Sequence, residues 1–153
     1  MLAALHEAER RGARVVLLTV DDEGRVDLAA LDDALAGHLS GSAPSLVSVM
    51  WVNNEVGTVQ PIEAVASHCR DVGVPLHVDA VQALGKVPVD LRRVPCDALA
   101  LSAHKIGGPK GVGALVLRPE VALYPRIHGG SQQRGVRPGT ENVAGIVGFG
   151  IAA

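Results

Sequence analysis

The sequence predicts an α/β fold in which a mainly parallel sheet is flanked by helices. Hydrophobic residues make up 48% of the 153 positions and charged residues 20%, which is sufficient for a packed core. Segments rich in Val, Leu and Ile alternate with segments of helical periodicity, and Gly, Pro and Asp residues separate them. Such alternation is typical of parallel sheets, because two parallel strands need a crossover connection that is usually a helix.

Four helices are predicted from the spacing of apolar residues and from residues that start or end helices. Leu28, Leu31 and Leu35 recur at helical spacing behind Asp27, a residue type that caps helix N-termini. Pro61 suits a first helical position, because its missing N–H would have no partner there. The predicted helices are Met1–Arg11 ended by Gly12, a second that follows Asp27, a third from Pro61 to Gly73, and a last that begins at Thr140.

Five short apolar segments predict the strands of the sheet. The predicted strands are Ala13–Val20, Ser45–Val52, Pro75–Val78, Asp97–Leu101 and Gly113–Leu117. Turn-forming residues at Asp22–Gly24 and a Ser/Gly-rich loop at His38–Pro44 separate the early elements.

Composition excludes several classes of protein. The net charge is −2, whereas a nucleic-acid binder carries a basic surplus. Aromatic residues make up 2% of the chain, too few for a base-stacking surface. The longest apolar stretch, Val143–Ala153, is too short and too rich in glycine to span a bilayer. We therefore expect neither a nucleic acid nor a membrane as partner.

The two cysteines, Cys69 and Cys96, form neither a disulfide framework nor a zinc motif. Both are expected to be small core residues, which is the usual place of a free cysteine. This use of cysteine indicates the reducing cytoplasm as the location of the protein.

Polar residues follow the predicted strands at the points where those strands end. In open α/β sheets, ligands bind beyond the carboxyl ends of the strands, so these residues are expected to converge. They are Asn53, Asn54 and Glu55 after the second strand, Asp79 and Gln82 after the third, Ser102, His104 and Lys105 after the fourth, and Arg134, Arg137 and Thr140 further on.

The residue types at this edge fit one cofactor. A carboxylate such as Asp79 can hold a cationic ring nitrogen, because an opposite charge favours the charged form of both groups. Lys105, beside Ser102 and His104 and before Gly107–Pro109, can act as a Schiff-base lysine next to a phosphate cradle. A lysine imine and an aspartate on the ring nitrogen are what pyridoxal phosphate requires of a protein.

Each of these residues also has an ordinary structural interpretation. Asp79 suits a strand-end turn, Lys105 a solvated surface, and His77 and His104 hydrogen-bonded core positions, while the Asn53–Asn54 pair suits a loop. A metal site is a further alternative, because four ligand-type residues are close in sequence: His68, Cys69, His77 and Asp79. Adjacent helical residues diverge by about 100°, however, and no second pair has metal-ligand spacing. We therefore expect no metal.

Four stretches of the sequence resemble the cysteine desulfurases, pyridoxal-phosphate-dependent enzymes of fold type I in the class V aminotransferase group. The combination of SAHK with GPKG, and of a HGG turn with RPGTEN, carries the resemblance. The stretches are VSVMWVNNEVGTVQPI at 47–62, HVDAVQALGKVPVDL at 77–91, SAHKIGGPKGVGAL at 102–115 and HGGSQQRGVRPGTENVAGIVG at 128–148.

The resemblance implies a role for each matching residue. Lys105 would hold pyridoxal 5'-phosphate as a Schiff base and then move protons on the substrate. Asp79 would pair with the pyridine nitrogen and Gln82 with the ring hydroxyl. The remaining roles would be phosphate binding by Ser102 and His104, a position near the ring oxygen and substrate carboxylate for Asn54, and contact with the phosphate of the partner subunit of a homodimer for Thr140.

The resemblance also implies that the chain is a partial large domain. The family's phosphate loop and ring-stacking histidine would precede Met1, and its persulfide cysteine, substrate-binding arginine and small domain would follow Ala153. The activity implied is removal of sulfur from L-cysteine, which gives L-alanine and supplies an acceptor or scaffold protein for iron–sulfur or thio-cofactor synthesis. We expect this chain alone to be inactive. The alternatives are another class V enzyme, such as a selenocysteine lyase or an aminotransferase, and a non-catalytic remnant or dimerisation partner.

Overall fold

A computed structural model describes residues 2–36 and 46–153 of the chain. The predicted loop at 38–44 and the first residue of the predicted strand at 45 lie outside the described residues. The elements are, in order, α1 (Leu2–Arg10), α2 (Leu28–Ala36), β1 (Val47–Met50), α3 (Ile62–Asp71), β2 (Leu76–Asp79), β3 (Ala98–Ser102), a 3₁₀ helix (Ala103–Ile106), β4 (Gly113–Leu117), a second 3₁₀ helix (Gln133–Gly135) and α4 (Val143–Ala152).

The four strands form one sheet in the order β1-β2-β3-β4. The first three are parallel, and β4 pairs with β3 in the antiparallel direction. α3 lies between β1 and β2 in the chain, as a crossover between parallel neighbours requires. The predicted mainly parallel α/β sheet is confirmed.

One face of the sheet forms the hydrophobic core. Side chains alternate along each strand, and the register aligns Val47 with Leu76 and Val49 with Val78 on a single face. These residues are buried with the apolar sides of α2 and α3. The opposite face carries Ser48, Met50, His77, Asp79 and Ala100, which are half-buried. The sheet is therefore asymmetric, with one packed face and one partly open polar face.

The predicted start of α2 and the predicted end of α3 are confirmed, whereas α3 starts one residue later than predicted. The Asp27 carboxylate accepts a hydrogen bond from the Ala29 N–H at 2.9 Å, which caps α2. α3 begins at Ile62, so Pro61 is its N-cap and not the first helical residue that the sequence predicts. Gly73 follows the end of α3 with a φ of +72°, a conformation that favours glycine.

The predicted strand Ala13–Val20 is wrong. This stretch belongs to no ladder in the described residues, and its one pairing is an isolated bridge between Val20 and Val26. Val16 and Leu17 are exposed. The reason is that strand-like composition becomes a strand only when a neighbour supplies hydrogen bonds, and the sheet described here ends at β1 on one side.

The predicted start of the last helix at Thr140 is also wrong. α4 begins at Val143, and Asn142 is its cap, with its side-chain oxygen accepting the Gly145 N–H at 3.0 Å. An Asn directly before an apolar run is a stronger cap than a Thr two positions earlier. No helix in the described residues is long and apolar enough to cross a membrane.

Candidate active site

Asp79 lies at the carboxyl end of β2, between the two neighbouring parallel strands. Its backbone C=O accepts the Trp51 N–H at 2.9 Å, and the register pairs it with Met50 on β1 and with Ala100 on β3. One carboxylate oxygen accepts the Val81 N–H at 3.1 Å. Asp79 forms no ion pair within the described residues, so its charge is available to a ligand on the open face.

Gln82 lies in the turn that follows Asp79. Ala83 and Ala80 are fully buried on either side of it and anchor this turn to the core. The Gln82 side-chain oxygen accepts a hydrogen bond from Lys86 Nζ at 2.9 Å. Lys86 therefore already orients the Gln82 amide, to which a ligand could bind.

Ser102, His104 and Lys105 lie on a tight turn at the end of β3. Ser102 Oγ and His104 Nδ1 share a hydrogen bond of 2.8 Å. Ala103 is fully buried and anchors the 3₁₀ helix, while His104 and Lys105 are exposed. The structure thus presents a hydroxyl, an imidazole and a primary amine within four consecutive residues, next to the open face that carries Asp79.

Two glycines after Lys105 allow the turn to close. Gly107 has a φ of +83°, which L side chains rarely adopt. A Cβ on Gly108 would lie 3.0 Å from the Ala103 carbonyl oxygen, and the Gly108 N–H donates to that same oxygen at 2.9 Å. Glycine at positions 107 and 108 therefore lets the backbone return close to the start of the 3₁₀ helix.

Asn54 is exposed on the loop beyond β1. Its neighbour Asn53 accepts the N–H groups of Glu55 and Val56 at 2.8 and 3.1 Å, which shapes the loop. The Asn54 side chain itself forms no hydrogen bond in the described part of the chain, so it projects from a loop that Asn53 holds in place.

A polar clasp, formed by Thr58 and Gln60 and not predicted from the sequence, joins this loop to residues 23–26. Gln60 accepts the Val26 N–H at 2.7 Å and donates to the Gly24 C=O at 2.8 Å, and the Thr58 hydroxyl donates to the Glu23 C=O at 2.7 Å. Both side chains lie in the 47–62 stretch that carries the family resemblance. Their place in this stretch was the sequence signal for Thr58 and Gln60. The spacing of residues could not identify their hydrogen-bond partners, which lie more than 30 positions away.

Thr140, Arg134 and Arg137 are not joined to these residues. All three are exposed in the segment between β4 and α4, and Arg134 has a φ of +59°. The Arg137 guanidinium contacts the Gly139 C=O at 3.4 Å, and the Thr140 side chain forms no hydrogen bond in the described residues. The predicted convergence therefore covers Asp79, Gln82 and the Ser102–Lys105 turn, with Asn54 on the adjacent loop.

Both cysteines are buried and free, as the sequence predicts. Burial raises the pKa of the Cys69 thiol to about 11, and burial also raises the pKa of Cys96. A thiol of this kind is a poor nucleophile, since the thiolate is the reactive form. His68 pairs with Asp32 on α2 at 2.5 Å, away from His77 and Asp79. Across residues 2–36 and 46–153, no group of three or more His, Cys, Asp or Glu side chains could hold a metal ion.

Comparison with known proteins agrees with this fold. The described geometry is that of an α/β protein with an exposed lysine, Lys105, at the carboxyl edge of a mainly parallel sheet. Residues 1–153 match the family described as Aminotransferase class-V, and the chain belongs to that family.

Curated relatives of the chain include proteins named cysteine desulfurase. The chain is 51% identical over 148 residues to the cysteine desulfurase of Cereibacter sphaeroides, covering 97% of this chain and 37% of that protein. It is 48% identical over 153 residues to the cysteine desulfurase of Bradyrhizobium diazoefficiens, covering 100% of this chain and 38% of that protein. The chain therefore spans little more than a third of the length of these relatives.

Two solved structures superpose on nearly all of this chain and on less than half of their own. A NifS-like protein superposes with a TM-score of 0.91 at 42% identity, over 99% of this chain and 41% of that one. A structure of SspA in complex with cysteine superposes with a TM-score of 0.90 at 37% identity, over 99% of this chain and 43% of that one.

Proposed function

We propose that this chain provides the lysine-bearing part of a pyridoxal-phosphate-dependent cysteine desulfurase. The observation that carries the proposal is the Ser102–Lys105 turn beside Asp79 on the open face of the sheet. The names of the curated relatives and the cysteine-bound SspA structure support L-cysteine as the substrate. The reaction would release L-alanine and transfer the sulfur to an enzyme thiol as a persulfide.

The residues present fit the cofactor by their chemistry. Asp79 offers a carboxylate without a cationic partner in the described residues, and Lys105 offers an exposed amine without an ion pair there. When bound, pyridoxal phosphate supplies an electron sink for the α-carbon of an amino acid. Asp79 would hold the proton on the ring nitrogen, and Lys105 would bind the cofactor and then carry protons at its Nζ.

The neighbouring residues would orient the cofactor and substrate. Ser102 and His104 already share a hydrogen bond and would present a hydroxyl and an imidazole to the phosphate. Gln82 would bind the ring hydroxyl, and Asn54 would approach the ring oxygen and the substrate carboxylate. Thr140, exposed on a separate segment, would reach the phosphate held by the partner subunit of a homodimer.

Residues outside these 153 would supply the remainder of the activity, in the same polypeptide or another. Cys69 and Cys96 are buried, and the pKa of each thiol is raised, so neither suits the mobile nucleophile that accepts sulfur. We therefore place the persulfide cysteine and the arginine that binds the substrate carboxylate elsewhere, and we treat this chain as a partial large domain. On this proposal the isolated chain forms no persulfide from L-cysteine.

The cellular setting follows from the same proposal. Two free buried cysteines without a disulfide favour the reducing cytoplasm. Relatives from Clostridium botulinum carry the name cysteine desulfurase IscS, which supports a sulfur acceptor or scaffold protein in iron–sulfur cluster assembly as the partner.

Borohydride trapping tests the proposal on the purified chain. Pyridoxal phosphate is added, the adduct is reduced, and peptide mass mapping locates it. We expect one dominant adduct on Lys105, its loss in Lys105→Ala, and its retention in Lys110→Ala, which removes an exposed lysine five residues away.

The outcomes separate the site from incidental labelling. Equal labelling of many surface lysines, or an adduct that persists in Lys105→Ala, would contradict the proposed cofactor site. A persulfide found on Cys69 or Cys96 during L-cysteine turnover would contradict the proposal that the nucleophile lies elsewhere. A site-specific adduct without alanine production would support a cofactor-binding part of a larger enzyme.

A further inference from the structure

His77 lies behind the site, two residues before Asp79 on the same face of β2. Its ring Nδ1 shares a hydrogen bond of 2.8 Å with Ser48 Oγ, and the register pairs the same two residues across β1 and β2. Both are half-buried. None of the roles assigned above uses this pair, although it adjoins the carboxylate on which cofactor binding depends.

The burial of the His77 ring favours its uncharged form. Burial lowers the pKa of His77, and the negative charge of Asp79 opposes that effect as the smaller cause. The other residues facing the ring from the paired strands are Met50 on β1 and Ala98 and Ala100 on β3, which carry no charge. Asp79 is therefore the charged group to which His77 responds.

The Asp79 carboxylate has no cationic partner in the described residues. Its carboxylate accepts a backbone N–H from Val81, and it forms no ion pair. A protonated His77 would place a cation beside it on the same strand face, and that cation would compete with the positive ring nitrogen of a bound cofactor. When His77 is uncharged, the Asp79 carboxylate remains available to bind the ring nitrogen of the cofactor.

We propose that His77, anchored by Ser48, is a positioning residue that orders the Asp79 face of β2 and reserves the Asp79 charge for the ring nitrogen of the cofactor. This inference rests on the proposed function. It assigns His77 no contact with substrate or cofactor, since its effect passes through Asp79. Ser48 has the complementary task of fixing the ring orientation from β1.

The first test needs no cofactor. The His77 ring is titrated by NMR in the purified chain. Removal of the neighbouring charge in Asp79→Asn is expected to move its midpoint to lower pH, because the cause that raises its pKa is gone. Asp90→Asn removes a carboxylate that is not among the causes acting on the His77 pKa, and it is expected to leave the midpoint unchanged. If the His77 midpoint is the same in Asp79→Asn as in the wild-type chain, the inference is overturned.

The second test measures cofactor capture against pH. With the wild-type chain, the fraction of Lys105 trapped by borohydride at subsaturating pyridoxal phosphate is expected to fall as the pH drops through the His77 midpoint. His77→Gln has no titrating ring, so this step should disappear. His77→Arg carries a permanent cation and should weaken capture about tenfold or more at neutral pH. A merely structural role for His77 would not remove the pH step.

The two proposals fail in different ways. If no variant forms an adduct on Lys105, the proposed function is contradicted and this inference falls with it. If the wild-type adduct forms and His77→Gln shows the same pH step, the inference alone is overturned. Ser48→Ala provides a milder variant should His77 substitutions unfold the chain; it is expected to change the His77 midpoint and leave Lys105 able to form its adduct.

Discussion

The helices α3 and α4 are both ten residues long, yet they relate to the molecule in opposite ways. α3 buries Ile62, Val65, Ala66 and Cys69 against the sheet and turns charged residues outward. α4 has the sequence VAGIVGFGIA, without a charged residue, and it buries Gly145 among the described residues. Val143, Ile146, Val147 and Ile151 are exposed, and Phe149 is half-buried.

The difference shows that composition and burial are separate properties. An amphipathic helix such as α3 needs one neighbour, and the sheet provides it. A helix that is apolar on all sides is typically buried on all sides. In these 153 residues α4 packs through its small residues instead: a Cβ on Gly145 would lie 2.4 Å from a Val112 methyl group, and one on Gly148 would lie 2.7 Å from Pro109.

This packing has a consequence for the site. Pro109 and Val112 come four and seven residues after Lys105, so the glycine side of α4 contacts the loop that leads away from the lysine. α3 stabilises the core below the sheet, whereas α4 packs on the loop that follows Lys105. Substitutions in the two helices should therefore differ in size and in kind.

The largest difference in the free energy of unfolding is expected when an isoleucine is replaced by alanine in each of the two helices. Ile62→Ala removes a side chain that is 3% exposed and should lower the free energy of unfolding by about 2–5 kcal/mol. Ile151→Ala removes one that is 82% exposed and should change it by no more than about 0.5 kcal/mol. Urea unfolding followed by the fluorescence of the single tryptophan, Trp51, measures both. Equal losses of unfolding free energy in the two variants would mean that another surface covers α4 in solution.

An intermediate contrast is expected from two glycines within α4. Gly145→Ala should lower the free energy of unfolding by about 1–3 kcal/mol, because the new methyl group overlaps Val112. Gly150→Ala meets nothing within 4 Å and should raise it by about 0.5–1 kcal/mol through helix propensity. Thermal unfolding by circular dichroism compares them. A neutral Gly145→Ala would show that α4 does not pack on the Val112 loop.

The smallest effect is expected from the ion pair that joins α2 to α3. His68 and Asp32 are 2.5 Å apart and both are partly exposed. Asp32→Ala should therefore change the free energy of unfolding by about 0–1 kcal/mol, since water and salt screen such pairs. Asp33→Ala removes an adjacent exposed carboxylate without an ion pair in the described residues and serves as the reference. A loss well above 1 kcal/mol relative to Asp33→Ala would make this pair a main attachment of α3.

Much of the site could be predicted because its residues are close in sequence. Asp79 ends β2 and Gln82 comes soon after it. Ser102 ends β3 and is followed by His104 and Lys105. Local spacing and the rule for parallel sheets were therefore enough to predict that these residues lie near one another. Contacts between distant residues were not accessible in this way. The Ser48–His77 hydrogen bond spans 29 positions and the Gln60 clasp spans up to 36, and each depends on how strands and loops pair.

The sequence by itself determined the alternation of strands and helices, the cap at Asp27, the end of α3 at Gly73 and the order of polar residues along the sheet edge. These features depend on periodicity and on the backbone preferences of single residues. The tertiary structure decided that residues 13–20 form no ladder, that one face of the sheet stays open above Asp79, and that α4 packs by its glycines. Those outcomes depend on which neighbour a segment meets, and local sequence does not contain that information.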